Sequence, residues 1–124
     1  MQDSEDIDHI SEMVLFYWDA EDSLIKKSIS IDSAHEMSLI KIIQKSQPTQ
    51  KTPPKASDFS IEFTVTYADN EKEYFDINVY GSMSYTYITV SNDGKYFRAV
   101  KGKYTNNELA IFLTDYVRLL GISI

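Results

Sequence analysis

Residues 59–101 decide what this chain can become. In Phe59-Ser-Ile-Glu-Phe-Thr-Val-Thr-Tyr67 every odd position is apolar or aromatic and every even one is polar. A period of two marks a strand buried on one face only. Tyr74 to Tyr80, Ser84 to Ser91 and Lys95 to Lys101 follow, rich in β-branched and aromatic residues. Asp69-Asn70, Gly81-Ser82 and Asn92-Asp93-Gly94 stand between them as turn signals. The stretch predicts a four-stranded antiparallel meander.

Turn length then fixes register. With Gly81-Ser82 as a two-residue loop, Val79 faces Ser84, Ile77 faces Thr86 and Phe75 faces Ile88. With Asp93-Gly94 as a two-residue loop, Val90 faces Phe97 and Ile88 faces Ala99. One apolar face results, and a one-residue slip would turn a whole strand's side chains to the other side. To join that face, Ile61, Phe63 and Val65 need an odd loop, so a three-residue loop with positive φ at or beside Asn70 is expected.

The opposite face carries Tyr74, Tyr80, Tyr85, Tyr87 and Tyr96 together with Glu62, Thr64, Thr66, Asp76, Asn78, Thr89 and Arg98. In that register Tyr87 sits opposite Asp76. A tyrosine-rich face is explained by β-propensity alone on a solvated sheet, or by the N-terminal segment lying over it. It also suits a partner, since tyrosine offers rigid amphipathic area. Tyr74, Tyr80, Tyr85, Tyr87, Tyr96 and Arg98 are the candidate binding residues.

The flanking segments read as covers for the sheet. Met13-Val-Leu-Phe-Tyr-Trp18 is the most apolar six-residue run and reads as a buried strand, with Trp18 as a core anchor. A helix competes, because Ile7, Ile10, Val14, Tyr17 and Trp18 fall near helical spacing. Leu24 to Ile31 reads as a second strand with Ile25, Ile29 and Ile31 on one face. The two runs then pair as a hairpin or border the meander.

Ser33-Ala-His-Glu36 is a capping-box pattern opening a helix at about 34–45, striped by Met37, Ile40 and Ile43. Thr105-Asn-Asn-Glu108 opens a second helix at about 106–120. Leu109, Phe112, Leu113, Tyr116, Val117 and Leu120 recur there at helical spacing, and Gly121 ends it. Residues 47–57 hold all three prolines and read as an exposed, mobile connector.

Charge is unevenly placed. The net charge is −7, yet residues 1–36 hold ten acids against Lys26 and Lys27, and residues 37–57 hold four lysines and no acid. Residues 1–12 read as a loose acidic lead-in to one domain over 13–124. The acidic balance argues against nucleic acid, whose phosphates need clustered Lys and Arg. No cysteine is present, which rules out disulfides and thiolate chemistry. No apolar run approaches a membrane span.

Little in the sequence carries catalysis. His9 and His35 are the only histidines and lack metal-site spacing; His35 reads as a solvent-facing helix residue. No nucleophile-elbow or phosphate-cradling glycine motif occurs. Glu62 and Asp76 share the outer face and approach each other, but an acid–base pair needs a cleft, which a flat sheet does not supply. Asp3, Glu5, Asp6 and Asp8 lack the glycine and closing glutamate of a calcium loop. Lys95, Arg98, Lys101 and Lys103 read as protection of an edge strand. The expectation is no enzyme, no cofactor and no metal.

Lys27-Ser-Ile-Ser-Ile31, the helix across Met37 to Ile43, the meander, and Tyr104-Thr to Leu113 together resemble small lipoprotein-type domains of Gram-positive bacteria whose function is unknown. That resemblance spans most of residues 24–120. It implies a lipid anchor where position 1 now stands, with Gln2 to Glu12 as a tether and a setting at the cell surface.

The sequence thus predicts an α+β domain whose antiparallel sheet carries both helices on the face of Phe63 and Ile77. The expected function is a non-catalytic protein-interaction module, which the resemblance would tether at a bacterial surface by a lipid. The alternative is an acidic cytosolic immunity or inhibitor protein that neutralises a basic enzyme, since complementary charge steers such pairs.

Overall fold

The computed structural model describes residues 4–18, 24–51, 56–92 and 100–122. Strands β1 (Ile7–Ile10), β2 (Val14–Trp18), β3 (Lys26–Ser30), β4 (Gln47–Pro48), β5 (Phe59–Tyr67), β6 (Lys72–Tyr80), β7 (Tyr85–Ser91) and β8 (Val100–Thr105) form one antiparallel sheet. Its order is β3-β2-β5-β6-β7-β8-β4, with β1 pairing β5 beside β2. Helices α1 (Ser33–Ile43) and α2 (Asn107–Leu119) pack on one face. The fold is the expected α+β arrangement around an antiparallel meander.

The alternation in β5 does what its period requires. Phe59, Ile61, Phe63, Val65 and Tyr67 are buried, and Phe75, Ile77, Val79, Ile88 and Val90 join them from β6 and β7. Leu39, Ile40 and Ile43 of α1 and Leu109, Leu113 and Val117 of α2 close the same core. Each such side chain contributes about 1.5–3 kcal/mol by leaving water. Phe63 and Phe75 face each other across the strands and stack, with ring centroids 4.9 Å apart and planes 6° from parallel. Among the described residues, no helix is long and apolar enough to cross a membrane.

The β5–β6 loop is the three-residue one, Ala68 to Asn70. Tyr67 N donates to Glu71 O, Asn70 holds φ +67°, and the Asp69 carboxylate accepts from Glu71 N. The next loop differs from expectation. A 3₁₀ turn over Gly81–Met83, followed by Ser84 at φ +47°, makes a four-residue connection closed by Tyr80 and Tyr85. Ile77 therefore faces Ile88 instead of Thr86, Phe75 faces Val90, Val79 faces Thr86, and Tyr87 faces Asn78. The Asp58 carboxylate anchors the longer turn by accepting from Gly81 N at 2.7 Å. A slip of two residues preserves the side each residue faces, so the apolar face survives it.

Within the described residues β8 spans Val100–Thr105. Val90 faces Gly102 and Ile88 faces Tyr104, where Phe97 and Ala99 were expected. The register is held from the far end: Thr86 Oγ1 accepts from Asn106 N at 2.9 Å and donates to Asn106 O at 2.8 Å. The Asp93-Gly94 turn and residues 95–99 lie outside the described residues. Nor is β8 an edge, because Gln47 and Pro48 of the connector pair with Thr105 and Tyr104.

Ile7–Ile10 join the sheet as β1, inside the segment expected as a loose lead-in. Ile7 pairs with Tyr67 and Ile10 with Val65, while Ser11 exchanges hydrogen bonds with the Thr64 backbone. The run 13–18 is a strand and not a helix. β2 pairs with β3 on one side and β5 on the other, so both expected placements hold at once. Met13 and Leu15 are buried, which puts Val14, Phe16 and Trp18 on the outer face. Trp18 is 45% exposed and is not a core anchor. Every residue of β3 is exposed; Ile31 alone of the expected stripe is buried, leaving Ile25 and Ile29 at the edge.

Both caps fall one residue from the expected place. Asp32, not Ser33, caps α1 by accepting from Ala34 N, and Asn106, not Thr105, caps α2 by accepting from Leu109 N. Met37 is exposed and Leu39 takes its place in the core. Gly121 ends α2 at φ +79°, with Gly121 N donating to Arg118 O and Ile122 N to Val117 O. That is the paired bonding of a left-handed helix stop.

Candidate functional site

Two sets of outer-face residues need separating: those the fold exposes and those it covers. Of the tyrosines expected to bind, Tyr80 and Tyr87 are 6% and 9% exposed. They cannot be contact residues without rearrangement. Tyr74 and Tyr85 are half-buried. Tyr80 and Tyr85 meet as a tilted pair with centroids 5.9 Å apart. Burial, then Tyr85, pushes the Tyr80 hydroxyl above its ordinary pKa. Tyr96 and Arg98 lie outside the described residues.

The usable relief lies at the other side of this face, where β1 turns into β2. β1 and β2 pair with successive parts of β5, and the chain bends between them at Ser11 and Glu12. The bend opens a groove of about 310 Å³, lined by Glu12, Val14, Phe16, Glu62, Thr64 and Tyr74, among others. Phe63 and Phe75 contribute to it from the core below. Ser30 donates a hydrogen bond to the Glu12 carboxylate, which ties β3 to the bend. The ammonium of Lys26 lies 4.7 Å from the centre of the Phe16 ring.

Glu62 and Asp76 are direct cross-strand partners on this face, as their positions suggested. Like charges placed opposite each other destabilise a sheet. Burial first, and then the Glu62 charge, raise the Asp76 pKa from 3.8 to about 6, against lowering by Asn78 and Lys26. Between those two pH values the folded chain holds a proton that the unfolded chain has released. Stability therefore falls as pH rises through the window and is level above about pH 6. Asp76→Asn is expected to stabilise the protein by about 1–2 kcal/mol at pH 7, after allowing for solvent screening, and by almost nothing at pH 4. Urea unfolding at the two pH values measures it.

A smaller hollow of about 180 Å³ lies on the helix side between His35, Phe112, Asp115, Tyr116 and Leu119. His35 is half-buried there, not solvent-facing as its sequence position suggested. Its ring packs 5.1 Å from that of Tyr116, and its Nδ1 is buried without a hydrogen-bond partner among the described residues. Among the described residues, no group of three His, Asp or Glu side chains converges as a metal site would require.

Sequence reasoning placed Tyr74, Glu62 and Asp76 on the right face and missed Glu12, Val14, Phe16 and Trp18. The available signal was the run 13–18 itself. Both of its alternate faces are apolar, so one set had to point away from the core. Comparison of the chain with protein-family models, curated proteins and solved structures finds no match.

Proposed function

We propose that this protein is a non-catalytic interaction module whose contact surface is the outer sheet face formed by β2, β5 and β6, and whose partner is a basic protein. The observation that carries this reading is the groove at the β1–β2 bend. It combines half-exposed aromatic side chains, Phe16 and Tyr74, with two carboxylates, Glu12 and Glu62. Trp18, 45% exposed, extends the aromatic strip along β2. Aromatic anchors beside charged groups are the composition of binding hot spots. The overall charge of −7 adds long-range attraction for a basic partner.

The raised pKa of Asp76 beside Glu62 favours a second reading, a carboxylate acid–base pair. Against it, Glu62 is exposed and Asp76 is not among the residues lining the groove.

The test is capture of a partner on immobilised protein from the source cells. Trp18→Ser and Glu62→Lys are each expected to weaken capture at least about tenfold, the loss of one hot-spot residue. Leu119→Ser, on the fully exposed side of α2, is expected to leave it unchanged. Raising salt from low to high is expected to release the partner. If Leu119→Ser releases it and the two sheet variants retain it, the surface is on the helix side and the reading is wrong.

A further inference from the structure

We infer that the groove at the β1–β2 bend takes an arginine side chain of that basic partner, with the guanidinium between Glu12 and Glu62 and stacked on Phe16 or Tyr74. The inference rests on the interaction reading above and names its chemistry.

Three observations converge. The first is charge: both charged residues lining the groove are acids, and Asp76 stands directly across from one of them. Glu62 forms no ion pair among the described residues. A guanidinium arriving there relieves a like-charge juxtaposition that Lys26 and Asn78 offset only in part.

The second is that the chain already places a cation on this surface. The Lys26 ammonium lies over the Phe16 ring, and its charge is felt at Asp76. Lys26 sits on an exposed strand at the edge of the sheet. The Phe16 ring thus already takes a cation from this chain, and an arriving guanidinium competes with Lys26 for it.

The third is shape. A volume of about 310 Å³ is at the low end for ligand pockets, which suits one long side chain better than a whole small molecule. The walls are flat rings and the acids come from two different segments. A planar fork with five donors bridges two carboxylates and stacks at the same time, whereas an ammonium makes neither contact fully.

The test is a titration of the isotope-labelled protein with acetyl-Gly-Arg-Gly-amide, read by amide chemical shifts, with the lysine tripeptide as control. Saturable shifts are expected at Glu12, Glu62, Thr64 and Tyr74, with the arginine peptide bound at least about fivefold tighter than the lysine one. Glu62→Gln is expected to weaken binding about tenfold, the loss of one charge-assisted hydrogen bond. Lys26→Met is expected to tighten it about threefold, the value of one exposed cation–ring contact. Equal affinity for the two peptides, or shifts away from these four amides, overturns the assignment. If the groove amides stay still while Trp18→Ser and Glu62→Lys still release the captured partner, the arginine assignment is wrong and the contact surface stands. If neither responds, both fall.

Discussion

Asn106→Ala is expected to cost about 2–4 kcal/mol, among the largest losses available to a single polar substitution in this fold. Asn106 is 8% exposed and does three jobs at once. Its side-chain oxygen accepts from Leu109 N at 2.9 Å and caps α2. Its side-chain nitrogen donates to Ile42 O at 2.8 Å and to the Ser46 hydroxyl at 3.1 Å, which closes the last turn of α1. Its backbone is bonded on both sides to Thr86 of β7. One residue thereby ties both helices to the sheet.

The conservative variant separates the jobs. Asn106→Asp keeps the capping oxygen and improves the charge at the helix start. It also turns a donor into an acceptor facing the Ile42 carbonyl. If the link to α1 matters, Asn106→Asp remains destabilised by about 1–3 kcal/mol, the cost of the unmade bond plus repulsion. Urea unfolding that finds it as stable as the parent would show that the cap alone carries the effect. Thr86→Val is expected to approach the alanine loss, because it strips partners from a buried backbone N–H and C=O.

How far the sequence reveals all this depends on range. Period two in 59–67 identifies the buried face of β5 without any partner. Turn length matters only modulo two for which face a residue shares, so a two-residue error at Gly81 left the core list intact and changed only who faces whom. β8 had no such protection. Its register is set by Thr86 and Asn106, twenty residues apart in sequence, and by a bulge. No local pattern encodes that. Trp18 was misassigned for a different reason: Met13, Leu15 and Tyr17 are as apolar as Val14, Phe16 and Trp18, so hydrophobicity could not choose a face. The groove inherits both difficulties. It exists because β1 and β2 divide the edge of β5 between them, a pairing across some fifty residues that alternation does not express. Glu73 was legible in part. The alternation of β6 sets it among Phe75, Ile77 and Val79, an acid in a core position, but its partner depends on the register of β8 against β7.

That partner is Lys101, and Lys101→Met is expected to destabilise the protein by about 2–3 kcal/mol at pH 7, less than a fully buried pair because the lysine is 39% exposed. Glu73 is completely buried. Burial pushes its pKa up, yet hydrogen bonds from Tyr67 and Lys101, together with nearby positive charge, hold it below 4.5. Lys101 is the extra residue of the bulge opposite Val90 and Ser91, and its ammonium reaches across β7 to Glu73 at 3.1 Å. Because the folded value is lowered, the stabilisation is present above pH 4.5 and is lost as pH falls through the folded pKa. Without Lys101, burial regains weight, the Glu73 pKa rises, and the variant loses stability as pH rises above 4.5. The gap between parent and variant should therefore widen from pH 4 to pH 7. Glu73→Gln behaves differently. It keeps a neutral polar group beside Tyr67 and frees a half-exposed lysine to reach water, so about 1 kcal/mol is expected. The double variant should match Glu73→Gln within about 0.5 kcal/mol, since the lysine has no buried charge left to serve. A Lys101→Met loss that is small and flat with pH would mean that the Glu73 carboxylate is held in the core without Lys101.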